Sequence, residues 1–144
     1  MKRSLLLALL VLLMAGSAWG DVAPEVVENY GSEGVLYAMC DAQPFGSTGV
    51  CTRDGDQIVL NAAGFASLTF YSMQATTTTY TCDIYSRDQS HDTAVAGNGF
   101  KINATSLSES QEVLTLSGPF SRVWVNCTAM NDKQVTIHVL AKKK

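Results

Sequence analysis

The side chains best suited to chemistry are two histidines and several closely spaced aspartates. His91 adjoins Asp92, which gives the imidazole and carboxylate that a general base needs, but the surrounding Ser, Asp, Gly and Asn are typical of an exposed loop. His138 alternates with valines, which predicts a place on the outward face of a strand. Asp54 and Asp56 offer oxygen ligands for calcium, but the complete calcium-loop pattern with its terminal glutamate is missing. These residues are better interpreted as loop and turn formers than as a reactive centre.

No sequence motif supplies a nucleophile or a phosphate site. The chain has neither the Gly-x-Ser-x-Gly elbow of hydrolases nor the Gly-x-x-x-x-Gly-Lys-Ser/Thr loop that binds nucleotides. Its cysteines are spaced too widely for a Cys-x-x-Cys redox pair or a compact metal site. We therefore predict a protein that is not an enzyme and that uses no cofactor or metal.

The amino terminus has the pattern of a secretory signal peptide. Lys2 and Arg3 precede an apolar run, and small residues ending at Gly20 suit cleavage before Asp21. The run is too short for an anchored membrane helix, and we expect the mature form to have no membrane span. Removal of residues 1–20 leaves eight basic residues against thirteen acidic ones, a net charge of −5. Such a charge makes nucleic acid an unsuitable partner. The signal peptide predicts a secreted or periplasmic protein.

The cysteine count fits an exported protein held by disulfides. Cys40, Cys51, Cys82 and Cys127 all lie in the mature part, and three pairings are formally open. A segment with one proline and two glycines between Cys40 and Cys51 can bend the chain back, so we expect these two to pair locally. Cys82 would then pair with Cys127, tying two sheets or two neighbouring strands.

The spacing of apolar residues predicts an all-β domain. Residues 21–34 show little periodicity and are expected to form an N-terminal arm or leading loop, whereas a period of two follows from residue 35 to the end. About eight short strands in this length are typical of an antiparallel β-sandwich of jelly-roll or immunoglobulin-like type. Besides a hairpin around Asp54, the expected strands are 35–40, 65–73, 79–86, 99–104, 112–117, 122–130 and 134–141.

Two hairpins are specified by their turns and faces. Asp54-Gly55 is a preferred pair for a two-residue type I′ turn, which places Arg53 opposite Asp56, Cys51 opposite Ile58 and Gly49 opposite Leu60. At the C-terminal end, strands 122–130 and 134–141 each have one apolar face. A three-residue loop, 131–133, would bring those faces together and place Cys127 opposite Ile137 and Asn126 opposite His138.

The C-terminal string from Ser117 through Trp124 to Asn126, continued by the valines and threonine of 134–139, resembles the closing hairpin of known small β-sandwich domains. These domains occur in phage virion and tail-associated proteins. The resemblance covers about 25 residues, and the signal peptide and cysteines depart from that family. It implies a structural or attachment module rather than an enzyme.

Aromatic residues provide the candidate binding surface. Trp124 alternates with inward-facing Val123 and Val125, so its ring is expected to point outward. Either the N-terminal arm or a loop covers the ring there, or the ring is exposed and a partner protein or a sugar could stack on it. Tyr71, Tyr85 and His138 are further candidates. The function expected is a secreted structural, adhesion or assembly module that binds a protein or itself. The alternative is a carbohydrate-binding module with an aromatic platform for polysaccharide.

Two sequence patterns match the acceptor for N-linked glycans. They begin at Asn103 and at Asn126, and each has threonine two residues later. Such short patterns also arise by chance, and they do not themselves indicate glycosylation.

Overall fold

The computed structural model describes residues 20–44, 49–74, 79–87, 99–130 and 134–144. Within these residues the fold is built from β-strands and contains no helix, which confirms the all-β prediction. The strands are β1 (Asp21–Val22), β2 (Glu25–Asn29), β3 (Val35–Pro44), β4 (Gly49–Val50), β5 (Thr52–Arg53), β6 (Asp56–Ile58), β7 (Leu60–Asn61), β8 (Phe65–Gln74), β9 (Tyr80–Arg87), β10 (Phe100–Lys101), β11 (Leu107–Ser108), β12 (Val113–Ser117), β13 (Arg122–Met130) and β14 (Gln134–Lys143).

Three sheets organise these strands. A five-stranded antiparallel sheet has the order β12-β8-β14-β3-β2. A six-stranded antiparallel sheet has the order β10-β9-β13-β4, with β11 paired to β9 and β7 paired to β13. The third sheet is small, with β6 between β5 and β1, and its β1–β6 pairing is parallel.

The five-stranded and six-stranded sheets contribute to one hydrophobic core. Leu68 and Phe70 of β8 and the alternate valines of β14 enter it from the first sheet, while Ile84 of β9 and Val123 of β13 enter it from the second. All are fully buried because their strands alternate an apolar face with a more polar one. The opposite face of the five-stranded sheet is called the outer face below.

A buried hydroxyl network connects the elements beside this core. Tyr80 of β9 is 1% exposed, and its hydroxyl lies 2.5 Å from Ser72 Oγ and 2.7 Å from the Ser108 carbonyl. Burial raises the pKa of Tyr80, since the charged phenolate would lose its hydration. The neutral phenol thus links the strand ends of β8, β9 and β11.

Both disulfide pairings predicted from the sequence are confirmed. Cys82 and Cys127 face each other on neighbouring strands β9 and β13, with Cα atoms 3.9 Å apart. Cys40 of β3 is bonded to Cys51, and their Cα atoms lie 5.3 Å apart. Two such bonds are consistent with folding in an oxidising extracellular or periplasmic environment.

The predicted turn at Asp54-Gly55 is correct. Both residues have positive φ, 55° and 94°, as a type I′ turn requires, and Arg53 is paired with Asp56. The Ile58 amide donates to the Cys51 carbonyl, so the register holds that far. Beyond it the strands separate, because Gly49 pairs with Cys127 and not with Leu60.

Two other predictions are wrong. Residues 21–34 contain strands β1 and β2 where an irregular arm was expected. The C-terminal strands form no hairpin: β13 pairs with β9, β4 and β7, whereas β14 pairs with β8 and β3. Their apolar faces do meet, but across the core and from different sheets. The alternation of apolar and polar residues specifies which face of a strand is buried, but it does not determine which strand pairs with it.

The string that carries the resemblance to phage-associated domains therefore spans two sheets. It forms the end of β12, β13 and the first half of β14. None of the residues that the structure describes forms a helix long and apolar enough to cross a membrane.

Candidate functional site

A groove of about 470 Å³ on the outer face is the candidate site. It forms where outward residues of β8, β12 and β14 alternate with the buried ones. Tyr71 of β8 and His138 of β14 are directly opposite each other, so two of the four residues nominated from sequence meet here. The residues that line this outer groove are Tyr30, Leu36, Tyr71, Ser72, Met73, Glu112, Val113, His138 and Leu140.

Apolar side chains dominate the outer groove and remain accessible. Met73 is 48% exposed and Val113 is 47% exposed, although both belong to the ordered sheet. Leu36, Tyr71 and Leu140 are half-buried beside them. A contiguous set of such residues in a concave surface is typical of a binding site, because covering it removes apolar area from water.

Tyr30 stands over one end of the outer groove and is held by local structure. The chain turns after β2, where the Gly31 amide donates to Asn29 Oδ1 at 2.9 Å and the Tyr30 amide donates to the Gly34 carbonyl at 2.9 Å. The Tyr30 hydroxyl donates to Glu28 Oε2 at 2.8 Å, and this hydrogen bond raises the pKa of Tyr30. The ring is therefore a neutral, positioned aromatic surface that is 42% exposed.

Only part of this groove is predicted by the sequence. Tyr71 and His138 are candidates from their place in the strands, whereas Tyr30, Met73 and Val113 carry no signal of their own. Tyr30 was assigned to an irregular arm, and no pattern shows that β2 returns to the edge of the same sheet. Met73 and Val113 become neighbours through the pairing of β8 with β12, which is not encoded in the spacing of either strand.

The other two nominated residues, Tyr85 and Trp124, lie together on the six-stranded sheet. They are opposite each other on β9 and β13, and their rings are stacked with centroids 6.0 Å apart. Of the two alternatives for Trp124, the covered ring is correct and the exposed platform is wrong, because the residue is only 2% exposed. Its ring points away from the shared core as expected, but neighbouring groups cover it there.

Three neighbours account for the burial of Trp124. Tyr85 covers one face of the ring, and the Arg87 guanidinium carbon lies 5.6 Å from the ring centroid, within the range of a cation–π contact. Gly99 packs so closely that an added Cβ would overlap the ring atoms Cη2 and Cζ2. This arrangement stabilises the sheet and leaves half-buried Tyr85 as its accessible aromatic part.

Strand β1 contacts Arg87, the residue whose guanidinium lies beside the Trp124 ring. Asp21 of β1 accepts hydrogen bonds through Oδ2 from Arg87 Nη2 and, at 3.2 Å, from Arg122 Nη1. The Arg87 side chain is 3% exposed, so this ion pair is largely removed from water. Sequence spacing gave no signal for it, since 66 residues separate Asp21 from Arg87.

A buried polar cluster surrounds Asp83 on β9. Its Oδ1 accepts from Asn103 Nδ2 at 3.0 Å, Ser106 Oγ at 2.5 Å and Lys101 Nζ at 2.9 Å. Burial would raise the pKa of Asp83, but hydrogen bonds from these three partners outweigh it and lower the pKa. The carboxylate is therefore charged and occupied by its neighbours, which is a structural arrangement.

Asn103, the first glycan acceptor pattern, belongs to this cluster. It is 4% exposed, its Nδ2 donates to Asp83 and to the Thr105 carbonyl, and its Oδ1 accepts from the Ile84 amide at 2.8 Å. The side chain amide is thus used to hold the segment after β10 against β9. Asn126 of β13 is half-buried and has Asp83 as its cross-strand neighbour.

The remaining candidates for chemistry are His91, Asp92, Asp54 and Asp56. His91 and Asp92 lie outside the described residues. Asp56 accepts a hydrogen bond from the Gly20 amide at 3.0 Å, and Asp54 forms the turn. Throughout the part of the chain that the structure describes, no three His, Cys, Asp or Glu side chains are placed to hold a metal ion.

Comparisons with protein-family models, with curated proteins and with solved structures found no match to this chain.

Proposed function

We propose that the chain is an exported, non-catalytic β-sandwich module that attaches to a protein partner through the outer groove, in surface structure, adhesion or assembly. The observation that carries this proposal is the accessible apolar lining of the groove, with Tyr71, Met73 and Val113 beside a positioned Tyr30. The arrangement as a sandwich is supported by the core that two sheets share and by the bond from Cys40 to Cys51.

Export is supported by two independent features. The first twenty residues have the charge and apolar pattern of a signal peptide. The two disulfides fit an oxidising compartment, secreted or periplasmic.

The chemistry of the outer groove favours a peptide segment over a sugar. Four side chains of the groove have no hydrogen-bond donor and no strong acceptor: Leu36, Met73, Val113 and Leu140. A sugar ring, in contrast, needs polar groups around the aromatic face on which it stacks. Glu28 and Glu112 stand at or near the groove, and the mature chain is acidic. The partner segment is therefore expected to carry apolar side chains flanked by Lys or Arg.

Fewer aromatic residues could support carbohydrate binding than the sequence indicated. Buried Trp124 offers no platform, so a stacking site would need Tyr30 and Tyr71 in the outer groove or Tyr85 on the other sheet. Glycan binding that depends on Tyr30 and Tyr71 would replace the peptide proposal while retaining the site.

Selection from a displayed random-peptide library, run beside a glycan array, tests the proposal. We expect enriched peptides with apolar residues next to Lys or Arg, and at least about tenfold weaker binding to the Tyr71→Ser and Met73→Ser variants. Phe100→Ser is the matched control, since Phe100 is an aromatic residue on the other sheet and is 63% exposed. No enrichment, or equal losses in the control, would reject the outer groove as a peptide site.

A further inference from the structure

The free edge of the five-stranded sheet at β12 is unusually open to pairing. β12 is bonded to β8 on one side, residue for residue and without a bulge, from Val113 to Ser117. Among the described strands, none pairs with its other side. The segment Val-Leu-Thr-Leu-Ser contains no charge and no proline, the devices by which edge strands usually avoid pairing.

The opposite edge of the same sheet is protected. β2 has Glu25 and Glu28, follows Pro24, and shifts register against β3 between Val26 and Glu28. These features all disfavour the addition of another strand. The contrast within one sheet indicates that only the β12 edge is suited to a partner strand.

The backbone N–H and C=O groups of β12 point alternately toward β8 and away from it, and the second set is available to a partner strand. The Ser72 amide donates to the Glu112 carbonyl, so the Glu112–Ser72 pair is of the hydrogen-bonded kind. Two-residue alternation then directs the N–H and C=O groups of Leu114 and Leu116 toward β8. Those of Val113, Thr115 and Ser117 are directed away from it. The Val113 carbonyl accordingly accepts from the exposed side chain of Gln111 at 2.5 Å and not from β8.

We propose that β12 pairs with β12 of a second copy of this chain, antiparallel and centred on Thr115. In that register Thr115 faces its own copy and Val113 faces Ser117, so every outward backbone group meets a partner once the Gln111 side chain releases the Val113 carbonyl. Leu114 and Leu116, which are half-buried against the core, face each other across the junction and complete their burial. Only a self-complementary edge closes as a twofold dimer, and this five-residue segment is one.

Thr115 also extends an existing row of hydroxyls. Its Oγ1 lies 3.1 Å from Thr69 Oγ1 of β8 on the outer face. The dimer would add the second Thr115 beside it, which is a favourable cross-strand pair. Because Val113 lies in the outer groove, the two grooves of the dimer would stand on either side of the twofold axis. The pairing itself does not depend on what the groove binds.

Sedimentation equilibrium from about 5 to about 500 µM, the range in which small interfaces associate, tests the proposal on the intact mature chain. We expect a monomer–dimer equilibrium without larger species. Thr115→Pro removes an amide that points away from β8, so the fold retains its ladder while the dimer dissociation constant rises at least about tenfold. Thr115→Lys, which places like charges on the twofold axis, provides the same test if the proline variant fails to fold.

Two controls make the test specific for this edge and this register. Val27→Lys alters an exposed residue of β2 at the other edge and should leave the equilibrium unchanged. Thr115→Cys should cross-link to its own copy on oxidation, since opposed residues of a hydrogen-bonded pair have Cα atoms about 5.5 Å apart. Ser117→Cys should not, because it faces Val113. A monomer at every concentration, an open polymer, or equal cross-linking of both cysteine variants would overturn the proposal.

Discussion

Cys40 and Cys51 join parts of the molecule that no strand ladder connects directly. Cys40 belongs to β3 of the five-stranded sheet, whereas the Cys51 amide donates to the Val125 carbonyl of β13 in the six-stranded sheet. Cys82 and Cys127, in contrast, join strands that already form a ladder. The short disulfide loop therefore links the two sheets, and the long loop reinforces one of them.

Because the two disulfides join different parts of the fold, their removal should affect stability and local hydrogen exchange differently. Replacing Cys82 and Cys127 with Ala should lower the free energy of unfolding by about 4 kcal/mol, and replacing Cys40 and Cys51 by about 3 kcal/mol, because the loops span 45 and 11 residues. Urea unfolding measures both values. Hydrogen exchange should accelerate most in β4, β5 and β6 for the second pair. A larger urea effect for Cys40 and Cys51 would show that linking the sheets outweighs loop entropy.

The close contact of Gly99 with Trp124 predicts intolerance of a single methyl group. Gly99→Ala should destabilise the fold by about 1–3 kcal/mol, since the added Cβ would overlap the Trp124 ring and lie 3.0 Å from the Ser86 carbonyl oxygen. Gly49→Ala is the control, because nothing lies within 4 Å of a Cβ at Gly49. Urea unfolding compares the two variants, and equal stability would contradict the packing described for Trp124.

The same packing predicts the fluorescence of Trp124. In a chain that starts at Asp21, as the signal-peptide pattern predicts, Trp124 is the single tryptophan, and its 2% exposure should protect it from acrylamide. Gly99→Ala should increase quenching by opening the cover of the ring. Strong quenching of the unaltered fold would restore Trp124 as a candidate for stacking against a ligand.

The hydrogen-bonded Asp83 carboxylate predicts a loss of stability in acid. Its pKa is lower in the folded chain than the ordinary value of 3.8, so the folded state binds fewer protons than the unfolded state. The stabilisation is present above pH 3.8 and disappears as the pH falls through the lower folded pKa. Asp83→Asn should therefore flatten the dependence of unfolding free energy on pH in this range.

Asp54→Asn provides the matched comparison for Asp83. Asp54 is an exposed turn residue, and asparagine suits its positive φ equally well. Its replacement should leave the acid dependence unchanged. An identical pH profile for both variants would show that the cluster around Asp83 does not favour the charged carboxylate.

The N-terminal strand should contribute measurably to stability through Asp21. Asp21→Ala removes the acceptor shared by Arg87 and Arg122 and should cost about 1–3 kcal/mol in urea unfolding. Glu25→Ala, an exposed change in β2, should be nearly neutral. An Asp21 variant as stable as the Glu25 variant would mean that β1 is not held in place by this ion pair.

Local sequence patterns predicted much of the fold, but they did not predict which distant segments pair with each other. The cysteine partners, the type I′ turn at Asp54-Gly55 and the bounds of β13 follow from residues close in sequence or from strict alternation. The partners of β13 and β14 did not follow, because opposed apolar faces satisfy the same pattern in a hairpin and across a core. The residues that cover Trp124 could not be predicted for a similar reason, because Gly99 and Tyr85 reach the ring only in the folded chain.

Titration of the ¹⁵N-labelled protein with a selected peptide, followed by amide chemical shifts, locates the surface that holds the partner segment. If the segment binds in the outer groove, the largest shifts cluster at Tyr30, Tyr71 and His138 on the outer face. Shifts concentrated instead around Tyr85 and Arg87 on the six-stranded sheet would rule the outer groove out.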